Sequence, residues 1–281
     1  MSTEDKKPAG LMTSREVAID ATPEQVWQAI ATGAGNAGWL FPADIEEREG
    51  GSMVIHRAPF GGDAPATVTA YEPPRRFAYE EATGPGMSPW ATEFLIEGRA
   101  GGTTVVRVVT GFYEGGEGWE AMVEGAGEGW AGALQILRSY VPNFLGRPVV
   151  GLGVTGDTGR PLSDRTALSA ELLGALGLVG LQSGDKFRGP DDAPPLAGVI
   201  EGDLGGAVTV EGHGCLIRSD EPGPGIFEVS TFSMDGETVT VNVVGRLYGD
   251  EGPELAARDE SGWTEWLKTH FPGTTPVTVP R

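Results

Sequence analysis

"GEGWAGALQILRSYV", Gly127 to Val141, sets a Gly-Trp pair ahead of aliphatic residues at three- and four-residue spacing. A weaker relative, "SGWTEWLKTHF", stands at Ser261 to Phe271. Such spacing draws one apolar stripe along a helix. For the first stretch the stripe reads Met122, Ala126, Trp130, Ala133, Leu134 and Leu137, with Glu117, Glu120, Glu124 and Glu128 on a solvated opposite side. The pattern predicts a helix from about Glu117 to about Tyr140, stopped by Pro142.

The residues before each stretch explain why there are two. "ATEFLIEGRAGGTTVVRVVTGFY" (Ala91 to Tyr113) lies without gaps on "IFEVSTFSMDGETVTVNVVGRLY" (Ile226 to Tyr248). Glu93 meets Glu228, Gly101 meets Gly236, Thr103 meets Thr238, Val108 and Val109 meet Val243 and Val244, and Tyr113 meets Tyr248. After a small deletion, Gly129 and Trp130 fall on Gly262 and Trp263. A hairpin, an acidic glycine-rich loop and a Gly-Trp helix recurring in that order indicate a duplicated unit.

Upstream of the first hairpin, "REVAIDA" alternates as a strand, and "TPEQVWQAIATG" opens a helix with Thr22 as N-cap and Pro23 at its first position. Val26, Trp27 and Ile30 form its buried face. "SMVIHRA", "ATVTAYE" and "RFAYEEA" read as strands between Gly and Pro turns. In the second half, "RPVVGLGVTG" supplies a first strand and "SDRTALSAELLGALGL" a helix capped by Ser163 or Asp164, while Gly184 to Gly206 reads as loops with short strands.

Composition narrows the function classes. Twenty Lys and Arg against 40 Asp and Glu give a formal charge of -20, which repels phosphate backbones and anionic headgroups, so nucleic acid and membrane insertion are not expected. The longest apolar patch, "LLGALGLVGL", is half a membrane span. With a mixed-charge opening, "MSTEDKKPAG", and a lone Cys215, the chain reads as a cytoplasmic protein.

"REVAIDATPEQVWQAI", the aromatic turn "GWLF", "EPPRRFAYE", "TGFYEGGEGW" and "GEGWAGALQILRSYV", in that order, resemble the START-like (SRPBCC) helix-grip superfamily, in the branch related to activators of the Hsp90 ATPase. The resemblance implies an α+β fold: a curved antiparallel sheet around a long C-terminal helix, here duplicated in tandem. It places one domain at 12–146 and a degenerate second copy at 147–272, with flexible termini at 1–11 and 273–281. It also implies a cavity between sheet and helix that takes a small hydrophobic or aromatic molecule. Trp39, Phe41, His56, Tyr79, Phe94, Trp130 and Leu134 are the expected ligand-binding residues, with His56 and the Tyr79 hydroxyl as polar handles.

Catalytic, cofactor and metal residues are not assigned. The chain has no G-x-S-x-G and no P-loop motif. "GLGVTG" fits the dinucleotide pattern, yet 45 glycines make one such match expected by chance, and Thr158, Gly159 and Pro161 intervene before any helix. "EGHGC" spreads Glu211 and Cys215 roughly 13 Å apart on a strand, too far for one ion. The leading expectation is a ligand-binding or carrier protein. A cyclase or dehydratase using the same cavity is one alternative, signalled by a buried polar pair with a perturbed pKa. A co-chaperone or protein-interaction role is the other.

Overall fold

Strand β1 (Leu11–Ile19) opens the first unit and leads into helix α1 (Pro23–Ala31). The start of α1 is fixed reciprocally. The Gln25 amide donates to the Thr22 hydroxyl at 3.3 Å, and the Thr22 amide donates to the Gln25 side chain at 2.9 Å. Val26, Trp27 and Ile30 are buried, as their spacing predicts. A five-residue helix, α2 (Gly33–Ala37), comes next and carries "AGNAGWLF" beyond a simple turn. Gly38 is required after it, because a Cβ there would stand 2.2 Å from the ring of Tyr140.

The structure is a computed structural model that describes residues 10–83, 88–114, 119–202, 214–233 and 236–278. After α2 come β2 (Ala43–Ile45), β3 (Ser52–His56), β4 (Asp63–Glu72), β5 (Arg76–Glu81), β6 (Trp90–Gly98), β7 (Thr104–Phe112) and helix α3 (Glu120–Phe144). The strands form one antiparallel sheet in the order β1-β7-β6-β5-β4-β3-β2. Helix α3 lies mainly across β1 and β7.

Two details of α3 differ from the sequence expectation. It runs through Pro142 to Phe144. In the last turn a proline removes only one donor, and the buried Val141 and Phe144 on either side hold the backbone in place. The buried stripe is Val123, Gly127, Leu134, Leu137 and Val141, whereas Met122 is 52% exposed. Glycines in the first turns carry no side chain to mark the face, so the pattern there drifts by one residue. Glu117 lies outside the described residues.

The second unit, beginning at Gly146 where the first ends at Leu145, repeats the plan. Strand β8 (Val149–Pro161), a short 3-10 turn and helix α4 (Arg165–Ala175) precede β9 (Lys186–Arg188), β10 (Ala197–Gly202), β11 (Gly214–Glu221), β12 (Gly225–Phe232), β13 (Thr238–Tyr248), helix α5 (Gly252–His270) and β14 (Thr275–Thr278). Their order is β14-β8-β13-β12-β11-β10-β9. The β12–β13 hairpin therefore occupies the place of β6–β7, between the opening strand and the rest of the sheet, with the long helix following it. The fold is a tandem pair of helix-grip units, α+β as expected.

Several sequence features find their place here. "GLGVTG" lies inside β8, laddered against β13, and not at a strand-to-helix turn. Asp164 occupies the N-cap of α4 but bonds Arg160 at 3.2 Å and makes no cap bond. Cys215 is buried in β11, while Glu211 and His213 lie outside the described residues. The stretch 273–281, expected to be flexible, contains β14. Its Thr-Pro-Val-Thr segment pairs along the free edge of β8, which is long enough at 13 residues to serve two neighbours.

Candidate functional site

On β1, Leu11, Thr13, Arg15, Val17 and Ile19 face the core while Ser14, Glu16 and Ala18 are exposed, as period-two alternation requires. The register carries that face across four strands in three rows. One row reads Phe77, Phe94, Val108 and Arg15; the next reads Tyr79, Thr92, Thr110 and Thr13; the third reads Glu81, Trp90, Phe112 and Leu11. A row of hydroxyls thus lies between two rows that contain aromatic rings.

The rings are in mutual contact. Phe94 stacks on Phe77 at 6.4 Å and meets Trp130 edge-on at 5.4 Å; Trp39 stands 6.2 Å from Phe94 and 6.3 Å from Trp130. Tyr79 joins through Phe77 at 5.9 Å. On the other side, Phe112 lies 4.9 Å from Trp90 and 4.3 Å from Trp119. Trp39 is completely buried and donates its indole N–H to the Ala29 carbonyl at 3.0 Å, tying the loop after α2 to α1. Trp130, Trp90 and Trp119 are only half-buried. The site is therefore filled at its centre and accessible beneath the first turns of α3.

Within the polar row, the Thr110 hydroxyl donates to the Ala91 carbonyl at 2.9 Å. Its single proton is thereby used, so the 2.9 Å contact between the Thr92 and Thr110 hydroxyls is donated by Thr92. Tyr79 lies beside Thr92, and burial, reinforced by the Glu81 charge, pushes its phenol well above the usual range. It is a neutral donor at any physiological pH. Arg15 donates to the Thr13 hydroxyl at 3.1 Å and to the Ser14 carbonyl at 2.9 Å. Glu81, with a side chain 9% exposed, accepts from Arg57. Burial pushes its carboxyl upward, and the Arg57 charge pulls the other way without cancelling the shift.

Of the seven residues expected from sequence, the structure brings together Trp39, Phe94, Trp130 and Tyr79, with Leu134 buried one turn along α3 from Trp130. Phe41 is half-buried in the loop before β2, where its carbonyl accepts from Asn36 at 2.9 Å. His56 is elsewhere. Met53 and Ile55 take the buried positions of β3, so alternation turns His56 outward, between Asp63 at 3.0 Å and Asp44 at 3.2 Å. Hydrogen bonds to those two carboxylates, Asp63 first, raise its pKa. It cannot serve as a handle for a ligand under α3. Thr13, Arg15, Thr92, Thr110, Glu81 and Arg57 were not anticipated.

Among the described residues no three metal-ligating side chains cluster, and no helix is long and apolar enough to cross a membrane.

A curved antiparallel sheet gripping a C-terminal helix defines the class. Residues 20–142 match the family described as Activator of Hsp90 ATPase homolog 1-like protein. No curated protein matches. Among solved structures, CalU16 from Micromonospora echinospora is 22% identical, covering 46% of this chain and 75% of that one, with a TM-score of 0.39. The Aha1 dimer from Colwellia psychrerythraea is 21% identical over 46% and 95%, with a TM-score of 0.39. The di-domain ARO/CYC BexL from the BE-7585A biosynthetic pathway is 14% identical over 92% and 93%, with a TM-score of 0.42. None of these likenesses carries an argument about what this chain does.

Proposed function

We propose that the first unit binds a small aromatic or apolar molecule between α3 and the face of its sheet. The observation that carries this reading is the half-buried Trp130 ring set against Trp39 and Phe94 and next to a row of hydroxyls. Trp39, Phe94, Trp130, Tyr79 and Leu134 form the apolar wall, with Phe41 at its margin. Ligand surface buried there contributes at ~25 cal/mol per Å², and the hydroxyls orient it. The decisive experiment is a Nile red titration of Trp130→Ala and Trp263→Ala. Trp130→Ala should weaken binding by about ten-fold or more, a loss of roughly 1.4 kcal/mol, and folded Trp263→Ala should bind like the parent. The reverse pattern would move the site to the second unit.

A second reading, proton transfer to or from the bound molecule, is favoured by one observation. Glu81 is a buried carboxyl whose pKa is raised, on the same face as the neutral Tyr79 phenol. On this reading Glu81→Gln abolishes turnover of a substrate while preserving its binding. A Glu81→Gln protein that still turned over that substrate would eliminate Glu81 as the acid or base.

A further inference from the structure

Arg15 is an inward-facing guanidinium in a chain with twice as many acids as bases, and no carboxylate among the described residues lies within ion-pair distance of it. A half-buried charge held only by a hydroxyl and a carbonyl costs desolvation without an opposite charge to offset it. The fold does not require a cation here. Matching the two sheets through Val108 and Val243 puts Arg15 on Val154 and Thr13 on Leu152, both at most 1% exposed in the second unit. The helix above makes room for the charge. A Cβ on Gly127 would stand 2.8 Å from Arg15 Nη2 and 2.9 Å from Thr13 Oγ1, so the guanidinium fits only because that position is glycine.

Along the row, Val108 separates Arg15 from Phe94, so their strand positions lie roughly 10 Å apart at the usual spacing of two strands, and the guanidinium reaches up from its position to lie beneath Gly127. Gly127 and Trp130 lie one turn apart on the same face of α3. A molecule with a ring against Trp130 and Phe94 can therefore extend a short substituent toward the guanidinium.

Resting on the binding reading above, we infer that the ligand is an aromatic or apolar monocarboxylic acid, whose carboxylate pairs with Arg15 and accepts from the Thr13 hydroxyl while its apolar part lies on Trp130 and Phe94. A single guanidinium offers a fork that fits a carboxylate. One positive charge under a net charge of -20 matches a singly charged group better than a dianion.

The test is calorimetric titration at neutral pH with naphthalene-2-carboxylate and its uncharged carboxamide. Wild-type protein should bind the carboxylate about ten-fold more tightly, against the repulsion of the overall charge. Arg15→Gln should bring the ratio to one or below without weakening the carboxamide. Arg15→Lys should keep part of the preference, because charge remains and the fork is lost. Gly127→Ala should remove it at little cost in melting temperature, since the added methyl displaces the flexible end of Arg15 and turns the Thr13 hydroxyl aside, while alanine improves the helix. Equal binding of both probes to wild type, or a preference that survives Arg15→Gln, overturns the carboxylate assignment and leaves the binding reading standing. Failure of both probes to bind overturns both.

Discussion

The two sheets share a strand order and a central hairpin, and they differ in what faces the helix. In the first unit, Thr92 and Thr110 pair hydroxyls at the centre of the sheet. The ungapped repeat puts Phe227 and Gly245 at those two positions, and there the Phe227 ring lies directly on the glycine, close enough that a Cβ would meet it at 2.5 Å. The neighbouring row in the second unit is Cys215, Val229, Val243 and Val154, all inaccessible to solvent. Over it Trp263 is fully buried, where Trp130 in the first unit is not. Duplication copied the topology, and the inner face then diverged into a filled apolar core in one unit and a polar row between rings in the other.

That contrast should appear most strongly in the tryptophans. Trp263→Ala removes a fully buried ring and should cost roughly 3 to 5 kcal/mol, whereas Trp130→Ala, starting half-exposed, should cost no more than about half of that. Urea denaturation of both variants measures the difference; equal losses would mean that the two helices are equally committed to core packing. A smaller effect separates the glycines. Gly245→Ala forces the Phe227 ring to move and should cost about 1 to 3 kcal/mol, while Gly129→Ala, with open space around it in mid-helix, should gain up to about 1 kcal/mol. A neutral Gly245→Ala would show that the second core is looser than its burial suggests.

The smallest effect is a pH slope assigned to the first unit. Glu81 takes up its proton at higher pH when folded than when unfolded, where carboxyls titrate near 4.5. Between those two values the folded state holds more protons, so stability falls as the pH rises through the window. Glu81→Gln should remove that contribution in a denaturation series run upward from about pH 4.5. An unchanged slope would place its origin outside this pair.

The sequence made the strands, the capping box at Thr22 and the duplication legible, because each rests on local spacing that the chain displays directly. The hairpin around "RAGG" even contains the hydroxyl row: counting outward from Gly98 opposite Thr104 sets Thr92 against Thr110. What could not be counted was which strand completes the row, since Thr13 and Arg15 are nearly a hundred residues from Thr110 and meet it only through closure of β1 on β7. His56 was misplaced for a related reason. Alternation in "SMVIH" defines two faces without saying which is concave, and Met53 and Ile55 claim the inner one. The strand β14 gave too short a pattern to separate from a tail.

Helix α3 holds Gly125, Gly127, Gly129 and Gly132 in its first half, and Leu134, Ile136, Leu137, Tyr140, Val141 and Phe144 are buried in its second. At about 1 kcal/mol per glycine relative to alanine, the first half is weaker by roughly 4 kcal/mol in backbone preference alone, and it has few buried side chains to compensate. Its amide protons should therefore exchange with solvent through local opening, while those from Ile136 onward wait for the whole unit to unfold. Thr13 and Arg15 lie beneath the half that opens, so a ligand could be admitted without disturbing the half that anchors the helix.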